Sequence, residues 1–461
     1  MRKEYERYKP TGIEWISHIP AHWNVSPIKR IFDVFTGATP DSSNLEYWNG
    51  KIAWVTPADF NSKQKYIKTG DRFITKEGYL SCATRLVPSE SIIFSKRAPV
   101  GKVVIAKKEM CTSQGCLSCV KKQGANANEL FFYYSFLTIE KWFNAIAAGT
   151  TFNEIGTAIF SNTKIPVPPR KEQDQIVRFL DWKVSSINKL INIKQKEIEV
   201  LEEQRAALIS QATHCGILKP SKLKESGFAW MGDIPVNWHI RRFSKVAVVR
   251  AKIVSPQEHL EDMQISPASI EKGSGRILYT QTVKEAGVVG NNHRFYRGQI
   301  IYSKIRPLLN KVAIAPFDGL CSTDMYPIET SLETRYLKYF MLSQNFLCQL
   351  SMTGDRVKMP RLNQIELASV FIAFPEDKKE QKEIADYLDK VCERIQASIE
   401  CIKLYIAMLR ELSARLIADA VTGKIDVRNI TVPEYEYVED TADDDSERES
   451  EVNEGLNEEE E

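Results

Sequence analysis

The sequence lacks the long apolar runs that membrane-spanning and exported proteins carry. No stretch of about 18 consecutive apolar residues occurs, which argues against a membrane span and a membrane partner. The first residues, Met-Arg-Lys-Glu-Tyr-Glu-Arg, contain no apolar signal-peptide core. Because nine cysteines occur without an export signal, we expect reduced thiols in a cytoplasmic protein.

Motifs for nucleotide binding and methyl transfer are also missing. Gly423-Lys424-Ile425 lacks the hydroxyl residue and the upstream glycine of a phosphate-binding G-x-x-x-x-G-K-[ST] loop. Val167-Pro168-Pro169 does not replace the Asn-Pro-Pro-aromatic motif of amino-methyltransferases, and no carboxylate cluster typical of nucleases stands out. These absences predict a protein that is not an enzyme and that binds no cofactor itself.

The sequence does contain a long helical pattern, and it contains that pattern twice. Residues 171–212 place apolar side chains at two positions of each heptad, and residues 379–420 repeat this in the same register 208 residues later. Fifteen of the 42 positions are identical. Each copy predicts a rod of about 63 Å. The copies can form an antiparallel coiled coil through Leu180, Ile187, Leu201, Leu208, Leu388, Ile395, Leu409 and Leu416; an amphipathic helix lying on its own domain is the alternative.

The repeat extends into the segments that precede the helices. Short apolar strands, for example at 51–55, 91–95 and 103–106, are followed by helical stretches at 129–148 and 332–350. A lead-in before them predicts a short helical or irregular segment whose tryptophans pack on the following domain. Its five repeated residues are Gly12, Trp15, Ile19, Pro20 and Trp23, which recur as Gly227, Trp230, Ile234, Pro235 and Trp238.

Charge is distributed unevenly along the chain. The net charge is +2, but residues 434–461 contain fifteen acids against one Arg, which leaves 61 basic and 45 acidic residues in the other 433. A basic body is typical of proteins that bind a polyanion, most commonly nucleic acid. The tail is too charged to fold alone, so it is either a solvated solubility tail or a DNA mimic that competes for the basic surface.

Basic residues cluster beside strands and loops in both halves. At such places Lys and Arg can reach phosphates or guanine edges of DNA. A solvated surface is the simpler explanation for any single residue, whereas the clusters together favour DNA contact. The candidate DNA-binding residues are Lys63, Lys65, Lys68, Arg72, Lys96, Arg97, Lys102, Lys304, Arg306, Lys311, Arg356, Lys358 and Arg361.

Two spacings resemble metal sites, but the second half does not keep either of them. Cys111-x4-Cys116-x2-Cys119 has a spacing found in some iron–sulfur proteins, yet only Cys321 corresponds to it in the copy. His18 and His22 stand four apart, and neither recurs nor has an evident third ligand. Buried structural thiols and no metal site are therefore expected.

One set of motifs extends along the chain up to about Arg428: 36–40 (Thr-Gly-Ala-Thr-Pro), Trp48, 52–57 (Ile-Ala-Trp-Val-Thr-Pro), 165–169 before Glu172-Gln173, Pro375 before Glu380-Gln381, and 421–425 (Val-Thr-Gly-Lys-Ile). These motifs resemble those of a known family, the specificity (S) subunits of type I restriction–modification enzymes. The second half lacks the Gly-Ala-Thr-Pro segment, having residues 249–252 near that place, and the acidic tail is not part of the family pattern.

The resemblance implies an α+β fold. Two α/β target-recognition domains would be separated by two long antiparallel helices that form an intramolecular coiled coil. The expected divisions are a first recognition domain at 1–165, a first spacer helix at 166–215, a second recognition domain at 216–373, a second spacer helix at 374–428 and a disordered acidic tail at 429–461.

The resemblance also implies a non-catalytic DNA-specificity subunit. Each recognition domain would read one half of a bipartite site in double-stranded DNA, while the helices set the gap. Two modification subunits, which hold S-adenosylmethionine, would dock on the helices and domains and methylate a flipped-out adenine at N6. Two restriction subunits, motor–nucleases that use ATP and Mg²⁺, would complete the complex.

Three alternatives stay open on the sequence. The chain could serve an orphan or phase-variable adenine methyltransferase that has no restriction subunit. It could be a coiled-coil scaffold whose basic domains bind DNA without sequence choice. It could also be an enzyme with an unrecognised active site.

Overall fold

The structure, a computed structural model, describes residues 4–60, 64–97, 100–147, 154–218, 222–352 and 361–441. Contacts divide the chain into unit 1, built from Met1–Gln195 and Lys403–Asp443, and unit 2, whose described part is Lys196–Ile402. Each long helix therefore contributes one part to each unit. Nowhere in these described ranges is a helix both long and apolar enough to cross a membrane.

Unit 1 combines short strands with helices. The strands are β1 (Tyr8–Ile13), β2 (Ile16–Pro20), β3 (Asn24–Pro27), β4 (Phe32–Thr36), β5 (Trp48–Val55), β6 (Tyr66–Ile67), β7 (Arg72–Ile74), β8 (Ile92–Ser95), β9 (Val103–Ala106), β10 (Cys111–Thr112), β11 (Cys116–Lys121) and β12 (Lys164–Val167). The helices are α1 (Lys76–Ser81), α2 (Glu129–Ala147), α3 (Thr157–Asn162) and α4 (Arg170–Cys215). The larger sheets have the orders β4-β11-β8-β9-β6 and β10-β5-β7.

Strands β8 and β9 lie inside the five-stranded sheet, because apolar residues occupy both of their faces. They pair antiparallel, and β8 also pairs antiparallel with β11. Ile92 and Phe94 join the main core with α2 and α4, whereas Ile93 joins a smaller core with Val55 and Phe60. This alternation follows from the two-residue period of a strand. The strands and the helix predicted for this segment are confirmed.

Unit 2 repeats the plan with different detail. Its strands are β13 (Leu223–Glu225), β14 (Asp233–Pro235), β15 (Trp238–Arg242), β16 (Ala247–Val249), β17 (Lys252–Val254), β18 (Met263–Ile265), β19 (Gln281–Thr282), β20 (Asn292–Phe295), β21 (Ile300–Ser303), β22 (Val312–Ile314), β23 (Gly319–Ser322), β24 (Met325–Thr330) and β25 (Phe371–Pro375). The helices are α5 (Phe243–Val246), α6 (Thr334–Leu342), α7 (Gln344–Met352), α8 (Gln364–Ser369) and α9 (Lys378–Val421). The larger sheets have the orders β16-β24-β21-β22 and β17-β20-β23-β18-β19.

The single helix predicted at 332–350 is wrong, because Ser343 divides it into α6 and α7. The backbone of Ser343 is extended, with ψ of 158°. Its Oγ donates to the carbonyl of Phe340 at 2.6 Å and accepts the N–H of Phe346 at 3.4 Å. A serine hydroxyl can thus end one helix and cap the next.

The lead-in segments are β-hairpins, which corrects the helical or irregular prediction. Strands β1 and β2 pair antiparallel in unit 1, and β13 and β14 do so in unit 2. Gly12, with φ of 65°, lies where the register of the first hairpin shifts, in a conformation that glycine adopts without strain. The expected packing of the tryptophans is confirmed for Trp23 and Trp238, which are fully buried.

Both long helices are confirmed, and their ends follow local sequence signals. Helix α4 starts directly after Pro168-Pro169, a pair that favours extended backbone before a helix. Helix α9 starts near Asp377, whose side chain accepts the N–H of Lys379 at 2.8 Å. Gly216 and Gly423 follow the two helices with φ of 79° and 74°, the usual glycine C-cap.

Within each unit, part of α4 packs against part of α9 in the opposite direction. In unit 1, Leu180 shares a core with Ile417, and in unit 2, Ile209 shares a core with Ile384. The early part of one helix is therefore paired with the late part of the other, which confirms the antiparallel prediction. Of the candidate pairing residues, five are buried and three are partly buried: Leu180, Ile187, Leu388, Ile395 and Leu409, then Leu201, Leu208 and Leu416.

The ordered part of the chain extends beyond the end of α9, where the sequence predicted a disordered tail. Residues 429–441, here called the C-terminal strap, run along α4 in unit 1. Ser185 Oγ donates to the carbonyl of Glu436 at 2.7 Å and accepts the N–H of Val438 at 2.8 Å. Asn192 Nδ2 donates to the carbonyl of Glu439 at 3.0 Å. The disordered tail predicted from residue 429 thus does not fit residues 429–441, and residues 442–461 lie outside the described residues.

Candidate nucleic-acid interface

Lys96 and Arg97 share one carboxylate in unit 1. Lys96 Nζ lies 2.7 Å from Glu154 Oε1, and Arg97 Nε donates to Glu154 Oε2 at 2.7 Å. Partial burial raises the pKa of Glu154, but hydrogen bonds from the two cations outweigh it and lower that pKa overall. Lys96 is buried and Arg97 is exposed. Lys96 therefore fixes the loop, while Arg97 stands at the surface.

Lys65 lies inside unit 1, unlike its sequence neighbours. Its Nζ is 2.5 Å from Asp181 Oδ1 on α4 and 4.2 Å from the ring centroid of Tyr437 in the C-terminal strap. Tyr134 donates its hydroxyl to the same carboxylate oxygen at 2.5 Å. Burial lowers the pKa of the Lys65 ammonium, and the charge of Asp181 opposes this. The amine therefore joins the globular part to the helix and faces no solvent.

The other candidates of unit 1 are more accessible. Lys68 is exposed, and the Arg72 guanidinium stacks 3.7 Å above the ring centroid of Trp48. Lys102 is half-buried, with Nζ 3.4 Å from the carbonyl of Phe60. Stacking on an indole holds Arg72 in a defined direction while its charge stays at the surface. Lys63 lies outside the described residues.

The candidates of unit 2 meet around the turn after β21. A bridge between Ile305 and Arg361 brings the basic residues of this turn beside Arg361, which is exposed. Lys304 Nζ lies 3.7 Å from Asp324 Oδ1, and Lys311 Nζ donates to the carbonyl of Pro267 at 2.9 Å. Arg306 has φ of 47° and starts the short helical turn that follows. Arg356 and Lys358 lie outside the described residues.

One repeated turn beside these residues was not predicted from the sequence. In unit 1, Thr56 opens a short helical turn as one half of a capping box, and in unit 2, Ser266 does the same. Both turns follow a strand that pairs in parallel with a neighbour, β5 with β10 and β18 with β23. Only a Pro-Ala dipeptide signals the match, at a separation of 210 instead of 208. The second domain therefore keeps this turn of the first.

Each long helix begins with the same set of hydrogen bonds, here called the helix-start clamp. In unit 1, Trp23 Nε1 donates to Glu172 Oε1 at 3.0 Å. Gln173 Nε2 donates to the carbonyl of Pro168 at 2.9 Å, while its Oε1 accepts the N–H of Asn128 at 2.8 Å. The clamp thus joins the lead-in, the globular part and the first turn of α4.

The clamp of unit 2 has the same bonds at the same distances. Trp238 Nε1 donates to Glu380 Oε1 at 3.0 Å. Gln381 Nε2 donates to the carbonyl of Pro375 at 2.9 Å, and its Oε1 accepts the N–H of Glu333 at 2.8 Å. The sequence showed the repeated Trp and Glu-Gln residues but not that they bond to one another. Their recurrence in both copies was the available signal.

The cysteines of the first half are buried thiols. Burial raises the pKa of Cys111 to about 11 and that of Cys116 to about 12, so both stay protonated at neutral pH. Cys119 is also fully buried. Within the described ranges, no group of three or more Cys, His, Asp or Glu side chains has a geometry suited to a metal ion.

Known proteins resemble the chain over both of its halves. A family model described as the type I restriction modification DNA specificity domain matches residues 20–202 and 235–402. The type I restriction enzyme MjaIX specificity subunit of Methanocaldococcus jannaschii is 27% identical over 375 residues, which cover 78% of this chain and 84% of that protein. The EcoDI specificity subunit of Escherichia coli is 29% identical over 292 residues, covering 60% and 66%.

A solved structure shares the fold as well. A chain from a type I R-M system, solved to explain its complex assembly and conformational transition, matches with a TM-score of 0.61. It is 14% identical, and the match covers 88% of this chain and 99% of that chain. The match to the family model spans well over half of the sequence and includes both clamps. The chain therefore belongs to the type I restriction modification DNA specificity family.

Proposed function

We propose that the chain is the DNA-sequence-specificity subunit of a type I restriction–modification complex. Each globular part reads one half of a bipartite site in double-stranded DNA, and the paired helices set the gap between the two halves. The subunit is itself non-catalytic. The observation that carries this proposal is the helix-start clamp, which occurs in both units with the same four residue types, Trp, Glu, Gln and Pro.

A protein that measures a gap needs recognition domains that cannot swing on their helices. The clamp provides this rigidity, because Gln173 and Gln381 are buried and bond to the backbone on both sides of the helix start. Breaking one such bond while its partner stays buried costs about 1–3 kcal/mol. Trp23 and Trp238 add a second attachment to the same turn of each helix. The position of each domain on its helix is thereby fixed.

The proposed DNA surface consists of the accessible basic residues near the sheets. Phosphate contacts from these residues would give affinity, and the loops that carry them would approach the base edges. Lys65 and Lys96, which are buried and paired with acids, act by positioning their segments. The surface residues are Lys68, Arg72, Arg97 and Lys102 in unit 1, and Lys304, Arg306, Lys311 and Arg361 in unit 2.

The partners of the complex would supply the chemistry. Two modification subunits would hold S-adenosylmethionine and dock on the helices and domains, and two restriction subunits would use ATP and Mg²⁺. The family relationship supports this arrangement and a cytoplasmic location as parts of the proposal. The arrangement is also supported by the absence of catalytic motifs from the sequence of this chain.

Mapping methylated adenines tests the proposal directly. Genomic DNA from cells that carry this chain and its modification subunit should show one bipartite motif with a fixed gap. Inserting one heptad into α4 after Gln195 and one into α9 after Ile402 should lengthen that gap by about three base pairs. This follows because seven residues add about 10.5 Å of helix and each base pair spans about 3.4 Å.

The half-site sequences serve as the internal control. They should stay the same after the double insertion, because the globular parts are untouched. Lys196→Ala with Lys403→Ala, two exposed changes in the same region, should alter neither gap nor half-sites. An unchanged gap or new half-site bases in the insertion variant would contradict the spacer role. Equal binding to shuffled DNA would favour the non-specific scaffold, and methylation without any cleavage would favour the orphan system.

A further inference from the structure

The C-terminal strap fills a groove on α4 in unit 1. Three polar side chains of α4, Ser185, Asn188 and Asn192, bond to the strap backbone at distances between 2.7 and 3.0 Å. These bonds recognise an extended peptide through its main chain. Ile430 and Val432 of the strap pack against the core of unit 1, and the ring of Tyr437 lies over the amine of Lys65, with Nζ 4.2 Å from the ring centroid.

The same positions of the repeat line a cavity in unit 2. Adding 208 to the three groove positions gives Glu393, Gln396 and Glu400 on α9, and all three line a cavity of about 430 Å³. Pockets that bind small ligands commonly have volumes of about 300–1,000 Å³. Arg205 and Arg276 also line it, Arg205 donating to Gln396 Oε1 at 2.9 Å and Arg276 Nη1 lying 2.8 Å from Glu400 Oε1.

The inner wall of this cavity resembles the inner wall of the strap groove, although Arg335 Nη1 also pairs with Asp389, at 2.7 Å from Oδ2. In unit 2, Tyr339 donates its hydroxyl to Asp389 Oδ1 at 2.6 Å, and Lys338 Nζ lies 3.7 Å from the same oxygen. In unit 1, Tyr134 and Lys65 make these contacts with Asp181. The Tyr–Asp–Lys group that Tyr437 covers in unit 1 thus faces the cavity in unit 2, where the lysine comes from α6.

We propose that the unit 2 cavity is a docking site for an extended peptide segment of a partner polypeptide, which places an aromatic side chain beside Lys338. The chemistry of the rim defines that segment. Glu393 and Glu400 can only accept hydrogen bonds, so they suit backbone N–H groups, whereas Gln396 and Arg205 can donate to carbonyls. Because unit 1 has Ser and Asn where unit 2 has two carboxylates, the segment should carry fewer acids than the strap does. The proposal does not depend on DNA recognition.

A labelled peptide provides the probe. A fluorescent peptide with the sequence of residues 430–441, in which Glu436, Glu439 and Asp440 are replaced by their amides, is titrated into the full chain and followed by fluorescence polarisation. We expect saturable binding that is at least tenfold tighter than that of the unmodified acidic peptide. Replacing Tyr437 of the peptide by Ala should weaken binding at least tenfold.

Protein variants locate the binding. Ala397 lines the cavity, so Ala397→Trp should block the peptide, whereas Ser398→Trp at the next exposed position should not. Gln396→Ala, a smaller change that removes a donor from the rim, should weaken binding several-fold with unchanged circular dichroism. These variants report on unit 2 alone.

Three outcomes would overturn the proposal. The first is no saturable binding up to millimolar peptide. The second is binding that Ala397→Trp leaves intact. The third is binding that Asn188→Ala in the strap groove changes but the unit 2 variants do not, because the peptide would then be displacing the chain's own strap.

Discussion

Replacing the clamp glutamines by leucine tests whether the two helix starts are equivalent. Gln173 and Gln381 each donate to a proline carbonyl at 2.9 Å and accept a backbone N–H at 2.8 Å. Leucine has a similar shape but can make neither bond. Two buried groups would lose their partner at about 1–3 kcal/mol each, and the apolar gain of leucine would offset part of this. We expect each variant to destabilise its own unit by about 2–4 kcal/mol.

The assay must resolve the two units, because a chain with two units need not unfold in one step. Urea unfolding followed by hydrogen exchange at the amides of Asn128 and Glu333 does this, since each amide bonds to one of the glutamines. Gln173→Leu should speed exchange at Asn128 by at least about 30-fold and leave Glu333 unchanged. Gln381→Leu should do the reverse.

Exposed neighbours provide the matched controls. Lys171 and Lys379 are exposed and lie two residues before the glutamines. Lys171→Ala and Lys379→Ala should therefore each change the free energy of unfolding by less than about 0.5 kcal/mol. A leucine variant that is as stable as its control would contradict the role of the clamp. So would a variant that speeds hydrogen exchange equally at both amides, because the two clamps would then not act locally.

Three further changes probe the clamp, the shared carboxylate and the DNA surface. Trp23→Phe removes the bond to Glu172 and should cost about 1–3 kcal/mol in unit 1 by thermal unfolding; an unchanged midpoint would contradict the clamp. The depressed pKa of Glu154 means that its ion pairs stabilise the fold above the ordinary carboxyl pKa and that this is lost as pH falls through the depressed value. Glu154→Gln should therefore reduce the loss of melting temperature between neutral and acidic pH, and an unchanged pH dependence would contradict the role of these ion pairs. Arg306→Ala should weaken binding of the assembled complex to all DNA sequences and reduce the salt slope by about 1, measured by anisotropy; a sequence-selective loss would instead assign it to base reading.

The long helices could be predicted because apolar residues recur at fixed heptad positions within the helix itself. One of the two apolar positions of α4 is occupied by Val177, Ile191 and Ile198, which are all buried, and the same register recurs in α9. No distant partner is needed to see such a pattern. The family resemblance, the α+β fold and the non-catalytic role were likewise predicted from the sequence and are confirmed by the family match.

The remaining elements depend on contacts that a sequence does not display. The lead-in is a hairpin because Tyr8–Ile13 pairs with Ile16–Pro20, and its residues alone did not reveal that pairing. The strap is ordered because side chains of α4 bond to its backbone. Its acidic composition predicted a solvated tail, since composition does not show which main-chain groups are hydrogen-bonded. The sequence identified the basic candidates but could not separate buried ones from exposed ones. Lys65 and Lys68 look alike in the sequence, yet Lys65 is buried and Lys68 is exposed.

The Tyr–Asp–Lys group shows which features the two units share and which they obtain from different elements. Asp181 and Asp389 occupy equivalent helix positions, and each accepts a tyrosine hydroxyl. The amine comes from the segment before β6 in unit 1, as Lys65, and from α6 in unit 2, as Lys338. A partly buried carboxylate needs a nearby cation, but any element that reaches it can supply one. The clamps, by contrast, use the same kinds of donor and acceptor in both units, because they fix the helix start itself. Each unit therefore repeats the geometry by which its globular part is attached to the helix, while the globular parts themselves are free to differ.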